Sequence, residues 1–215
     1  MDAVVFDLDG VLVDSERAWD EVRRAVVAEH GGAWTDAATR AMQGMSTQEW
    51  ARYLVDDLGA NLTPDEVAKA VVDEMARRYA DAPPVIDGAV DAVRAVAARQ
   101  PVGIASSSPP VLIASFLSYA GLTKLVPVVV SSEEVAVGKP APDVYLEAAR
   151  RLDADPRRCA AVEDSTNGLR SAHAAGMTVI AVPNPHFPPD PDVLAATASA
   201  VLDDIATLPA ALDKL

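Results

Sequence analysis

The chain is short of cysteine, of aromatic residues and of positive charge, and each shortage removes a class of function. Cys159 is the only cysteine among 215 residues, so neither an intrachain disulfide nor a cysteine-rich metal site can be built. Aromatic residues make up 5% of a chain that is 50% hydrophobic. A sizeable core is available, and it must be packed from Ala, Val and Leu, which suits closely apposed helices and sheet. Lys and Arg number 18 against 32 Asp and Glu, a net charge of −14. That balance argues against a nucleic-acid or anionic-membrane surface. A phosphorylated ligand would meet a repulsive field, so a site for one needs local positive charge from a metal, a lysine or helix N-termini. No apolar run is long enough to span a bilayer and no signal-peptide pattern precedes the first apolar run. The expectation is a cytoplasmic protein.

What is present gathers where strands end. Ala3 to Phe6 is a short β-branched and aromatic run, followed at once by Asp7-Leu8-Asp9-Gly10. Such a run suits a buried strand of a parallel sheet, and Gly10 punctuates its end. Two carboxylates therefore sit at a C-terminal strand edge, where open α/β sheets bind ligands. Burying them requires a cation or a proton.

Residues 15–82 read as helical throughout. Ser15 is placed to cap a helix with Ala18, Trp19, Val22, Val26 and Val27 on its apolar face, ended by Gly31-Gly32. A second helix is predicted over 36–42. A third, over 46–58, opens with Ser46 and Glu49 at capping-box spacing, and a fourth opens at Thr63-Pro64-Asp65-Glu66. Pro83-Pro84 breaks the pattern. Beyond it, strands predicted at 102–105, 125–130, 159–162, 179–182 and 200–202 alternate with helices at 89–99, 109–120, 142–152 and 165–175. The proline-rich stretch 183–191 reads as an irregular loop. Alternation of this kind implies a doubly wound parallel sheet, here with residues 1–14 and 83–215 as an α/β core and 15–82 as an inserted helical domain.

Four loops following four strands would then open on one sheet edge, carrying Asp7 and Asp9, Ser106 to Ser108, Lys139, and Glu163 with Asp164. Two carboxylates about 4 Å apart repel by roughly 4 kcal/mol at an effective dielectric near 20. Several converging ones call for a hard divalent cation, and an all-oxygen site with few carboxylates suits Mg²⁺. Lys139 adds positive charge. Ser106 offers a hydroxyl, and Ser107 and Ser108 offer amides at a helix N-terminus, a cradle for phosphate. Singly, each group has a plain reading as a turn, a cap or a solvated loop residue; their joint placement at one edge does not. His30, His173 and His186 show no ligand spacing, Cys159 reads as a small buried hydrophobe, and Trp19 and Trp50 read as helical core residues able to face the cleft.

The set Asp7-Leu8-Asp9-Gly10, Ser106, Gly138-Lys139-Pro140 and Glu163-Asp164 resembles the haloacid dehalogenase superfamily. The stretches GKPAPDVYLEAARRL and EDSTNGLRSAHAAGM are most similar to its β-phosphoglucomutase-like branch. The resemblance implies a Rossmann-like core with a helical cap. It makes Asp7 the nucleophile that forms an aspartyl-phosphate and Asp9 the acid and base. Mg²⁺ would be held by Asp7, the main-chain carbonyl of Asp9 and Asp164, with Glu163 as ligand or close neighbour. Ser106, Ser107 and Lys139 would hold phosphoryl oxygens. The segment 42–47 resembles the substrate-specificity loop, through Gly44, Ser46 and Thr47. Thr47 stands where the mutases carry an arginine, Trp19 where they carry a histidine, and Pro110 where they carry a polar residue. These departures favour water as the phosphoryl acceptor.

The resulting expectation is a Mg²⁺-dependent, monomeric phosphatase of a small phosphorylated metabolite, such as a sugar phosphate. The alternatives are a sugar phosphomutase and a catalytically weak, phosphate-binding regulatory protein. Asp9 argues against dehalogenation. Phosphonate hydrolysis would need a cap lysine, and Lys69 is the only one there. Arg77 and Arg78 read either as anion contacts or as a solvated helix face.

Overall fold

Strands β1 (Ala3–Phe6), β2 (Val102–Ser106), β3 (Val128–Ser131), β4 (Cys159–Glu163), β5 (Thr178–Ala181) and β6 (Ala200–Val201) pair in parallel as one sheet, in the order β3-β2-β1-β4-β5-β6. This comes from a computed structural model, which describes residues 1–42, 45–185 and 187–215. The strand order reverses at β1, so β1 and β4 flank the crevice where such sheets take ligands. The register sets Phe6 opposite Val162 on one side and Ile104 on the other. Asp7 is thereby carried to the edge beside Glu163.

Side chains alternate across the sheet. Val4, Phe6 and Ile104 pack on one face with Val93 and Val96 of α5 (Ala89–Ala97) and Phe116 of α6 (Pro110–Tyr119). Ala3, Val5 and Ala161 pack on the other with Tyr145 and Ala148 of α7 (Asp143–Arg151) and Leu169 of α8 (Thr166–Ala174). Both faces are covered, which is why the strands read as continuous apolar runs.

The helices between β1 and α5 form a cluster of their own. They are α1 (Glu16–Glu29), α2 (Ala38–Ala41), α3 (Thr47–Asp56) and α4 (Pro64–Asp81). Trp19, Val22, Trp50, Leu54, Val67, Val71 and Met75 make its core, and Leu112 of α6 is buried with them. The capping boxes form: Glu49 accepts from the Ser46 amide at 2.8 Å and Glu66 from the Thr63 amide at 2.9 Å. The two segments joining this cluster to the sheet run side by side. Val13 bridges Val85, and the Asp14 amide donates to the Pro84 carbonyl at 2.7 Å.

Three details depart from the sequence expectations. β3 begins at Val128 rather than at 125, because the Leu125 and Val126 amides turn back to the Leu122 carbonyl and Pro127 has no N–H for a ladder. A helix, α9 (Pro191–Thr197), follows the proline-rich loop, with Asp190 accepting from the Asp192 and Val193 amides. The Ser15 side chain does not cap α1; its hydroxyl is turned onto Asp9. A short α10 (Leu208–Leu212) ends the chain. Among the described residues, no helix is long and apolar enough to cross a membrane.

Candidate active site

Asp7 is the first residue past β1, and its amide still donates to the Val162 carbonyl at 2.9 Å. The backbone is therefore fixed by the sheet ladder where the side chain turns into the edge. Lys139 Nζ lies 2.9 Å from Asp7 Oδ1 and 2.6 Å from Glu163 Oε1, and all three residues are buried. Glu163 is held on every side. Its Oε1 also accepts from the Tyr145 hydroxyl at 2.7 Å, and its Oε2 accepts from the Asp164 amide at 3.1 Å and the Ser165 hydroxyl at 3.3 Å. Two glycines make room for this edge. A Cβ on Gly168 would fall 1.9 Å from a Glu163 oxygen, and one on Gly10, at φ +78°, would fall 1.9 Å from Asp164 Oδ2.

Asp7, Glu163 and Asp164 offer oxygens within 4.8 Å of one another. Lys139 is the one cation paired to them among the described residues. Burial, with Glu163 and Asp9 adding to it, pushes Asp7 up to about 8 although Lys139 opposes the shift. Burial, followed by the Glu163 and Asp7 charges, drives Asp164 well above the usual carboxylate range. Burial alone would drive Lys139 towards neutrality, but the Asp7 and Glu163 carboxylates outweigh it and hold the ammonium charged. Three carboxylates thus face one ammonium, and Asp7 and Asp164 answer the excess by holding protons where a cation would let them ionise. Hard oxygen donors with a charge deficit fit a divalent cation such as Mg²⁺.

Asp9 faces this cluster and is oriented by three donors. Its Oδ1 accepts from Ser15 Oγ and from Trp19 Nε1 at 3.1 Å, and its Oδ2 accepts from Ser108 Oγ at 2.6 Å. The serine turn after β2 is likewise fixed. The Ser108 amide donates to Ser106 Oγ at 3.0 Å, and Ser131 Oγ donates to the Ser108 carbonyl at 2.8 Å. The Ser108 amide, expected in a phosphate cradle, is therefore already bonded. Ser106 is fully buried behind the turn, while Ser107 and Ser108 line the cavity.

That cavity runs between the sheet edge and the helical cluster. Asp7, Asp9, Lys139, Asp164 and Ser165 line it below, and Glu16, Trp19, Arg23, Met42, Met45 and Trp50 line it above. Ser46 and Thr47 line a different groove, with Ser132 and Gly138. Thr47 Oγ1 is buried without a partner among the described residues. Gly44 lies outside the described residues. Arg78 is tied to Glu74 and Glu21, each at 3.1 Å, Arg77 pairs with Glu74, and the exposed Lys69 pairs with Asp73; none of these cations lines the cavity.

Sequence reasoning missed Glu16 and Arg23. They share one face of α1 with Trp19, three residues before it and four after, and that face was the available signal. Burial, with the Asp9 charge, pushes Glu16 up to about 7. Burial lowers Arg23 to about 10, with Glu16 the largest opposing influence. Tyr145 was missed as well, since its place on an apolar helix face gave no hint of a polar role.

A family model described as haloacid dehalogenase-like hydrolase matches residues 1–176. Hexitol phosphatase B of Escherichia coli strain K12 is 34% identical over 197 residues, covering 88% of this chain and 86% of that protein. The bifunctional riboflavin kinase/FMN phosphatase of Arabidopsis thaliana is 33% identical over 183 residues, covering 84% of this chain; the chain spans about half of that protein, 48%. Among solved structures, CbbY from Rhodobacter sphaeroides in complex with phosphate superposes with a TM-score of 0.81 at 26% identity, covering 97% of this chain and 96% of the other.

Proposed function

The chain belongs to the haloacid dehalogenase-like hydrolase family, and from that premise we propose that it is a Mg²⁺-dependent phosphatase acting on a small phosphorylated carbohydrate through an aspartyl-phosphate. The observation that carries the reading is the buried cluster of Asp7, Lys139, Glu163 and Asp164, set in one cavity with a separately anchored Asp9.

In this reading residues 15–82 are a cap closing on a core of 1–14 and 83–215. Asp7, Asp164 and the Asp9 main-chain carbonyl would hold the cation, with Glu163 orienting its neighbours. When bound, the cation would offset the charge of the phosphoryl oxygens. Lys139 commits two of its three donors to Asp7 and Glu163, and the third is left for a phosphoryl oxygen. The Asp7 oxygen not bonded to Lys139 attacks phosphorus as the bond to the leaving oxygen breaks. Asp9 gives that oxygen its proton. Water then attacks the phosphorus of the aspartyl-phosphate while Asp9 takes a proton back, which frees phosphate and restores Asp7. The work is positioning and charge neutralisation, as phosphoryl transfer requires.

Water is the acceptor in this reading because, besides Lys139, the described lining offers a single cation, Arg23, set beside Glu16 and Asp9, too little positive charge for the distal phosphate of a bisphosphate. The names of the relatives, a hexitol phosphatase and an FMN phosphatase, support a phosphate monoester on a polyol or sugar.

The test is phosphate release from a panel of sugar and polyol phosphates with and without Mg²⁺. Asp7→Asn should lower kcat by at least ~10⁴-fold with an unchanged melting temperature. Appreciable turnover by the variant would remove Asp7 as nucleophile. Absent release with isomerisation of sugar phosphates primed by a bisphosphate would transfer the reading to a phosphomutase.

A further inference from the structure

The upper wall of the cavity holds a cation, Arg23, that makes no ion pair among the described residues. The Arg23 guanidinium carbon lies 4.7 Å from the centre of the Trp19 ring and 4.9 Å from that of Trp50. The two rings are 6.1 Å apart and inclined at 56°. A cation held by the electrostatics of two rings is placed without occupying its N–H donors. Among the described residues Arg23 makes no ion pair, and its Nε is buried with no partner. Its neighbour on the same helix, Arg24, is by contrast paired with Asp20 at 2.7 Å. A buried donor without an acceptor is costly, so this arrangement is one that a ligand acceptor would complete.

The chemistry of that ligand follows from what surrounds Arg23. Glu16 lines the same cavity from the same helix face and offers carboxylate oxygens as acceptors. Asp9, Asp7 and Asp164 line it below. Lys139 is already committed to Asp7 and Glu163, which leaves Arg23 as the unpaired cation of the described lining. A second phosphate would bring about two negative charges beside Glu16 and Asp9, with one guanidinium to answer them. Neighbouring hydroxyls suit the pair better, since each can accept from the guanidinium and donate to the carboxylate.

We propose that Arg23 and Glu16 form a subsite that reads the hydroxylated tail of a phosphate monoester, Arg23 donating to one hydroxyl and Glu16 accepting from its neighbour, and that this subsite disfavours a second phosphate. The proposal rests on the phosphatase reading and names the part of the substrate that the helical wall selects.

The experiment is a specificity ratio, kcat/KM for sorbitol 6-phosphate divided by kcat/KM for ethyl phosphate, which lacks the tail. In Arg23→Met the ratio is expected to fall at least fivefold, through KM for the polyol ester, and Arg23→Lys to recover part of the loss. A general disturbance of the site would lower both numerators and denominators and leave the ratio in place, so a fall of less than fivefold overturns the subsite. In the wild-type protein fructose 1-phosphate should be preferred to fructose 1,6-bisphosphate, and Glu16→Gln should narrow that preference at least threefold; an unchanged preference overturns the role of Glu16. If the wild-type protein releases phosphate from none of these esters, the phosphatase reading fails on its own. Calorimetric titration of sorbitol 6-phosphate into wild-type and Arg23→Met protein then decides the subsite: weaker binding by the variant supports it and equal affinity overturns it.

Discussion

On the sheet side of the cavity Lys139 reaches two carboxylates, Glu163 takes donors on both oxygens, and Asp9 takes three. On the helical side Arg23 lies against two tryptophan rings with its Nε unpaired, and Glu16 makes no ion pair among the described residues. The first wall is assembled before any ligand arrives, as electrostatic preorganisation demands of groups that stabilise developing charge. The second keeps its polar groups available. In the proposed reading chemistry and recognition are separated by element: the sheet edge would carry the one, and the amphipathic helix α1 the other.

Removing the central cation tests the locked wall most severely. Lys139→Met leaves Asp7 and Glu163 buried without a counter-charge, and a broken buried pair costs about 3–5 kcal/mol. Urea denaturation should show a loss of that size, together with a fall in kcat of ~10³-fold or more. A variant as stable as the wild type would mean that charge pairing does not hold this wall.

A second prediction concerns the charge left over on the same wall. Asp7, raised from 3.8 to about 8, keeps a proton in the folded metal-free protein that the unfolded chain gives up. The stability this confers is fully present below about pH 4 and is lost as the pH rises towards 8. A Mg²⁺ ion held by Asp7 would compete with that proton. The rise in melting temperature on adding Mg²⁺ should therefore be larger at pH 8 than at pH 6, and an equal rise at both would argue that the cation does not sit on Asp7.

The smallest effect is expected away from both walls. Thr47→Val exchanges a buried, unpartnered hydroxyl for a methyl group and should change stability by less than about 1 kcal/mol, measured by thermal unfolding. Its profile over the ester panel then shows whether recognition extends beyond the α1 face. A changed preference would give the 46–47 segment a share in reading substrate.

The locked wall was also the legible one. Asp7, Lys139, Glu163 and Asp164 each follow an apolar run or flank a proline, and a parallel sheet brings such positions to one edge whatever lies between them. The helical wall had no comparable rule. Arg23 and Glu16 owe their setting to how α1 leans over the edge, which local spacing does not encode, and Tyr145 is one apolar-face residue of α7 among several. The boundary of β3 slipped because a Leu-Val-Pro-Val-Val-Val stretch looks continuous until the missing proline N–H is counted. α9 was hidden by prolines, although Asp190 before Pro191 is a good helix opening.

Leu112 ties the helical cluster to the sheet side of the molecule. It belongs to α6, which starts just after the serine turn, yet its side chain is buried in the cluster of α1, α3 and α4. Were the helical cluster to part from the sheet edge and admit a ligand, this leucine would be drawn partly into water, at a cost of up to about 1.5–3 kcal/mol. An open form would then be the minority at rest. Because burial of apolar surface weakens on cooling, this contact would loosen in the cold and tighten with warming, so the balance between closed and open forms would itself shift with temperature.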